Sequence, residues 1–197
     1  HSFRGVVPLA EFVVVKLKQA KRISKEMFSI PEQVLCYQET DIMFAVNYVR
    51  SQAELLNRPI AICIALGSNQ GSHDGRGVLS FYLSEVADIP GMSVVISAGN
   101  EGIDRRHFYG MLTSNVPYDE FQIRVGSNEA GFSMEIWKNA PYRISIDITS
   151  PTGEYIKQVY PSLYNCTEHN FIFIPTIVWI NNYLIETGTG DQLVTIH

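Results

Sequence analysis

The segment Ser93-Val-Val-Ile-Ser-Ala-Gly-Asn100-Glu-Gly102 constrains the fold more than any other, because an apolar run ends abruptly in a polar, glycine-flanked turn. Val94, Val95 and Ile96 have the β-branched density of a parallel strand buried on both faces. The glycines allow a sharp turn and a close approach of backbone to a ligand. In open α/β sheets ligands sit beyond the carboxyl ends of the strands, which is where Asn100 falls. A neutral amide donor held there suits a developing oxyanion. The other reading makes Asn100 a turn residue that accepts left-handed backbone geometry.

A chain of 197 residues can bury a substantial core without disulfide staples. With 46% hydrophobic and 18% charged residues, the composition is that of an ordinary folded protein and excludes a disordered or fibrous one. A net charge of −5 argues against nucleic acid as a partner. The cluster Lys16, Lys18, Lys21, Arg22 and Lys25 has no interleaved aromatics and reads as a solvated strand end and loop. Cys36, Cys63 and Cys166 lack metal-ligand spacing, and Cys63 in its apolar run reads as a small hydrophobe. No apolar run is long enough for a membrane span, and no secretion signal opens the segment, so no membrane partner is expected. The first five residues read as the middle of a protein, and the alternation at 193–197 stops without a terminating turn, as in a fragment.

The first half alternates strand and helix signals. Residues 12–17 read as an apolar strand, and Ile42, Ala45, Val46, Val49, Ala53 and Leu56 repeat at helical spacing from an N-cap at Thr40 or Asp41 to Asn57. Residues 60–66 form a second apolar strand, followed by a polar glycine loop to Gly75. Val78, Phe81, Tyr82, Val86 and Ala87 predict another helix, and the third strand ends at Asn100. Strand, helix, strand, helix, strand predicts an α/β fold with a parallel, doubly wound sheet whose strand ends share one rim. Beyond about Ser114 the period becomes two, with strands predicted at 121–125, 132–137, 143–148 and within 171–184, separated by turns at 139–141 and 150–153. The expectation is an α/β unit over 1–115 and an antiparallel, truncated β unit over 116–197, whose exposed edge would permit self-association.

Three blocks, in order, resemble the subtilisin-like serine peptidases, the subtilases. Arg4-Gly-Val-Val-Pro8 with Ala10-Glu-Phe-Val-Val-Val-Lys16 is similar to the strand after the family's catalytic-histidine helix. Ile64-Ala-Leu-Gly67 is similar to the segment that pairs with bound substrate, and Val94-Val-Ile-Ser-Ala-Gly-Asn-Glu-Gly102 resembles the oxyanion-hole block. The loop at 67–75 and the helix after it resemble the Csp-type subgroup known from clostridial spore germination, which inserts a jelly-roll domain before the catalytic serine. Met134-Glu-Ile-Trp-Lys-Asn-Ala-Pro141, Ser150-Pro-Thr-Gly-Glu154 and Thr187-Gly-Thr-Gly-Asp-Gln-Leu193 are the segments similar to that insert.

The resemblance implies part of a serine endopeptidase acting on a peptide or protein substrate, with no metal or organic cofactor, and leaves the compartment open. It implies that Asn100 is the oxyanion donor, that substrate pairs along Ala65, Leu66 and Gly67, and that Ser97, Ala98 and Gly99 bound the side-chain pocket with Glu101 at its rim. Glu101 reads equally as a solvated turn charge. The family's Asp-Thr-Gly, His-Gly-Thr and Gly-Thr-Ser-Met-Ala motifs do not occur in these residues, nor does Gly-x-Ser-x-Gly. Ala65 stands where the family usually has serine, which removes a hydroxyl but leaves backbone pairing. The residues present would thus be inactive alone.

Two rivals accompany this reading: a regulatory pseudoprotease of the same family, and a nucleotide- or carbohydrate-binding α/β domain with a β-sandwich. Residues 67–75 are the only phosphate-loop candidate and lack the Gly-Lys-Ser/Thr ending. His73-Asp74 reads as loop-stabilising rather than metal-binding, and His107 and His169 are isolated. Trp137 and Trp179 read as sandwich core rather than a sugar platform, and Asn165-Cys-Thr167 only formally matches a glycosylation acceptor.

Overall fold

Two short β-branched runs form the parallel pair of the first half in the computed structural model, which describes residues 5–197. Strand β1 (Ile60–Ile64) lies beside β2 (Met92–Ile96) in register from Ile60 opposite Met92 to Ile64 opposite Ile96. Three helices belong to this half: α1 (Arg22–Met27), α2 (Glu39–Leu56) and α3 (Val78–Ala87). Val46 of α2 and Val86 of α3 meet Ile62 of β1 in a small core, joined by Ile60, Ile64, Met92 and Val94. All five of those strand residues share the parity of Ile62, so both helices cover one face.

The helical periodicity of 42–56 is realised in α2, and Asn57 ends it in left-handed geometry (φ 48°), its N–H donating to the Glu54 carbonyl at 3.1 Å. The N-cap is Gln38 rather than Thr40 or Asp41; its extended backbone starts the helix, leaving Glu39 and Asp41 in the first turn, where the helix dipole favours negative charge.

Four expectations for this half are corrected. Residues 12–17 form no strand, since among the described residues β1 and β2 pair only with each other. A strand exists through its neighbour's hydrogen bonds, and the local contact is instead one antiparallel bridge between Gln19 and Tyr37. Arg4, which opens the first matched block, lies outside the described residues. The sheet is not doubly wound among the described residues, because two strands offer no point at which the winding reverses. Its second face is uncovered among the described residues, where Ala61, Cys63, Ser93 and Val95 are exposed, so these residues do not supply the core expected around Cys63. The basic cluster is not all solvated, because Lys25 is buried in α1 and its Nζ donates to the Glu32 and Val34 carbonyls, each at 2.7 Å.

The second half is antiparallel. Strands β3 (Met134–Lys138), β6 (Cys166–Asn170), β7 (Ile177–Tyr183) and β8 (Gln192–Ile196) form a sheet in the order β3-β8-β7-β6, while β4 (Ile146–Thr149) and β5 (Tyr155–Val159) form a hairpin through the turn at 150–153. Ile156, Val178, Ile180, Val194 and Ile196 make the core, with Ile146, Ile148 and Val159 of the hairpin packed on them. These are the facing layers of a sandwich.

Strand β8 runs between β3 and β7, so the alternation at its end belongs to an interior strand and the sheet edges are β3 and β6. Residues 121–125 form no strand, and Phe121 instead stacks on Phe108 at 4.8 Å between ring centroids. Strands β5 and β6 carry too weak an apolar alternation to be expected. Trp179 is 42% exposed and lies outside the core, because Val178, Ile180 and Asn182 take the inward positions of β7. Its indole N–H donates to Glu168 at 3.1 Å, as that of half-buried Trp137 does to Glu135 at 2.9 Å.

Candidate functional site

Parallel pairing in exact register brings the two chain segments after β1 and β2 side by side at the strands' carboxyl ends. The ladder continues one step, with the Ser97 N–H donating to the Ile64 carbonyl at 3.2 Å. The Ser97 hydroxyl then donates to the Leu66 carbonyl at 2.8 Å, joining residues 65–67 to residues 97–99. A Cβ on Gly67 would lie 3.7 Å from Ser97 Oγ and 4.0 Å from Gly99 Cα, so this approach is close but not filled. Ala65, Leu66, Gly67, Ser97, Ala98, Gly99, Asn100 and Glu101 are all exposed on this rim.

The left-handed position of the second turn is Gly99 (φ 82°), whereas Asn100 is not among the residues with positive φ. The backbone demand for permissive geometry thus falls on Gly99 rather than on Asn100. Glu101 is engaged: it pairs with Arg106 Nη1 at 3.2 Å and accepts a hydrogen bond from Asn69 Nδ2, which ties the turn after β2 to the loop after β1.

That loop, residues 67–77, is held by several polar contacts that no local pattern indicates. Gly71 N–H donates to Glu135 at 2.8 Å. Arg76 pairs with Asp74 and with Asp191. Asn69, Arg76, Glu135 and Asp191 are the residues that sequence reasoning missed, because the carboxylates lie 64 and 115 residues from the groups they bind. His73 takes left-handed geometry (φ 54°), its Nε2 donates to the Asn69 carbonyl at 3.1 Å, and its ring lies 5.3 Å from that of His107. No group of three or more His, Cys, Asp or Glu side chains among the described residues is placed to hold a metal ion. A phosphate would also be opposed here, since the Gly71 and Arg76 N–H groups already face carboxylates.

The Asp74 carboxyl is held down to about 2, chiefly by the Ser72 hydroxyl, against partial burial, with help from the Arg76 N–H and guanidinium. At Glu186 burial is the largest influence and raises the carboxyl, but hydrogen bonds from the Gly188 and Thr189 N–H groups and the Thr189 hydroxyl outweigh it, and the net shift is downward. Both carboxyls are lowered on folding. The stabilising contribution of Asp74 is therefore complete above its ordinary range near pH 4 and is lost as pH falls towards about 2, and Glu186 acts in the same direction. We expect the thermal midpoint to drop across that window, and Asp74→Asn to flatten the drop; an equally steep fall in the variant would remove Asp74 from the cause.

Among the described residues no helix is long and apolar enough to cross a membrane. Neither a protein-family model nor a curated protein matches the sequence. Among solved structures, that of the Clostridium perfringens CspB protease is similar, with a TM-score of 0.66 and 20% identity over 84% of this chain and 35% of that one. The chain spans about a third of that protein's length, and over the matched region it shares the protease's mixed helix-and-sheet fold.

Proposed function

We propose that this chain is a segment of a subtilisin-like serine endopeptidase, with residues 1–115 in the catalytic core and 116–197 in an inserted jelly-roll-like domain. The observation that carries the reading is the placing of residues 65–67 beside 97–100 at the carboxyl ends of two parallel strands, in a fold shared with a clostridial protease. In this reading a peptide lies extended along Ala65-Leu-Gly67, with its side chain against Ser97-Ala-Gly99. A serine from elsewhere in the full-length protein attacks the carbonyl, a histidine takes the serine proton, and an aspartate orients the histidine. Asn100 donates its amide N–H to the tetrahedral oxyanion. Glu101, paired with Arg106 and Asn69, braces the rim.

The 1–197 chain alone is expected to give no peptide hydrolysis, because the three motifs that supply the triad do not occur in it. Turnover of a peptide ester by the purified chain, abolished by a substitution within it, would overturn the assignment of the triad to other residues. The full-length protein tests the reading itself: cleavage of extended peptides, blocked by a serine-directed covalent inhibitor, is the expected result. Saturable peptide binding without cleavage would favour the pseudoprotease.

A further inference from the structure

The loop between β1 and α3 is tied down by two carboxylates of the β half. Glu135 of β3 accepts the Gly71 N–H at 2.8 Å while accepting the Trp137 indole N–H at 2.9 Å. Asp191, in the turn before β8, is 3% exposed; its Oδ1 accepts the Ala140 N–H at 2.9 Å and its Oδ2 meets the Arg76 guanidinium. The turn that presents Asp191 is fixed independently, because the Glu186 carboxylate accepts the Gly188 and Thr189 N–H groups at 2.9 and 2.7 Å. The held loop starts at Gly67, the last residue of the candidate substrate wall.

A loop anchored at residues 71 and 76 by charge-assisted hydrogen bonds cannot slide without stranding a buried carboxylate. The geometry points to Glu135 and Asp191 as positioning residues that act through Gly71 and Arg76 to hold the wall at 65–67 for an extended peptide, an inference that rests on the peptidase reading above. Neither carboxylate touches the reacting atoms. A peptide that pairs as a strand needs the wall's N–H and C=O groups at ladder spacing, both before and during reaction. Losing the hold therefore weakens ground state and transition state together, which raises KM and leaves kcat nearly constant.

The test uses the full-length protein with Arg76→Ala and Glu135→Gln, singly and combined, and follows the thermal unfolding of each, because Arg76→Ala leaves buried Asp191 without its cation; Glu135→Gln, which strands no charge, carries the test where that variant does not fold. Amide exchange over residues 67–75 is expected to rise about tenfold or more in the double variant. KM for an extended peptide is expected to rise about tenfold while kcat stays within about twofold. Arg76→Lys should recover part of both, because it keeps the charge facing Asp191 but not the planar fork. Unchanged exchange, a loosened loop with unchanged KM, or a fall in kcat alone would each overturn the positioning role while the peptidase reading stands. If the wild-type protein cleaves no peptide, the peptidase reading fails and the inference fails with it.

Discussion

Asn100→Ala in the full-length protein is expected to lower the turnover number by about 10²- to 10³-fold, provided that protein carries the Asp, His and Ser motifs of the family. That range is the one subtilisin itself shows when its own oxyanion-hole asparagine is removed. What the present structure contributes is the placement. Asn100 is exposed at the carboxyl end of β2, next to a glycine that has already absorbed the left-handed turn geometry. An amide donor at such a point meets full negative charge only when the carbonyl becomes tetrahedral, so its removal acts on the transition state. KM should change little, because in the proposed peptidase reading the ground-state peptide is held by backbone pairing along residues 65–67 rather than by Asn100. Steady-state kinetics on a single peptide substrate separates the two. An unchanged turnover number would remove Asn100 from the oxyanion hole.

Gln192→Leu is expected to destabilise the β half by about 3 kcal/mol, because it strands several buried polar groups at once. Gln192 is completely buried at the start of β8. Its Nε2 donates to the Ile144 carbonyl and to Asn182 Oδ1, each at 2.6 Å, and its Oε1 accepts the Ile144 N–H at 2.8 Å. Asn182, itself buried, donates to the Val159 carbonyl at 2.8 Å, so the network joins β8, β7, the end of β5 and the approach to β4. Leucine nearly conserves volume but satisfies none of these groups, and a buried donor or acceptor without a partner costs its full desolvation. Chemical denaturation should show a lower midpoint at an unchanged slope. A loss below about 1 kcal/mol would mean that water or backbone shifts replace the side chain.

Asn100 and Gln192 differ in how far the sequence points to them. Asn100 is legible because its signal is local, an apolar run and a glycine turn within ten residues. Gln192 is not, since an isolated glutamine before an apolar alternation reads as an ordinary strand start. Only the packing of β8 between β3 and β7 buries it. The same division runs through the site. The segments 65–67 and 97–101 are recognisable one at a time, whereas Asn69, Arg76, Glu135 and Asp191 matter through their partners. Arg76 and Asp191 are 115 residues apart, and no periodicity relates them.

By itself the sequence determined what depends on neighbours within a few residues: the apolar period that makes α2 and α3, the end of α2 at Asn57, the β-branched runs of β1 and β2, and the turn at 150–153. Tertiary structure decided what depends on a distant partner. Residues 12–17 are as rich in β-branched side chains as β1, yet form no strand, because a ladder needs a second chain segment alongside. Trp179 has the composition of a core residue and faces outward, because the alternation of β7 gives the inward positions to Val178, Ile180 and Asn182. Strand β8 closes the sheet from its middle, since its hydrogen-bonding edges match β3 on one side and β7 on the other. Propensity acts over a turn of helix or a few residues of strand, while pairing, burial and charge compensation act between segments that only the folded chain brings together.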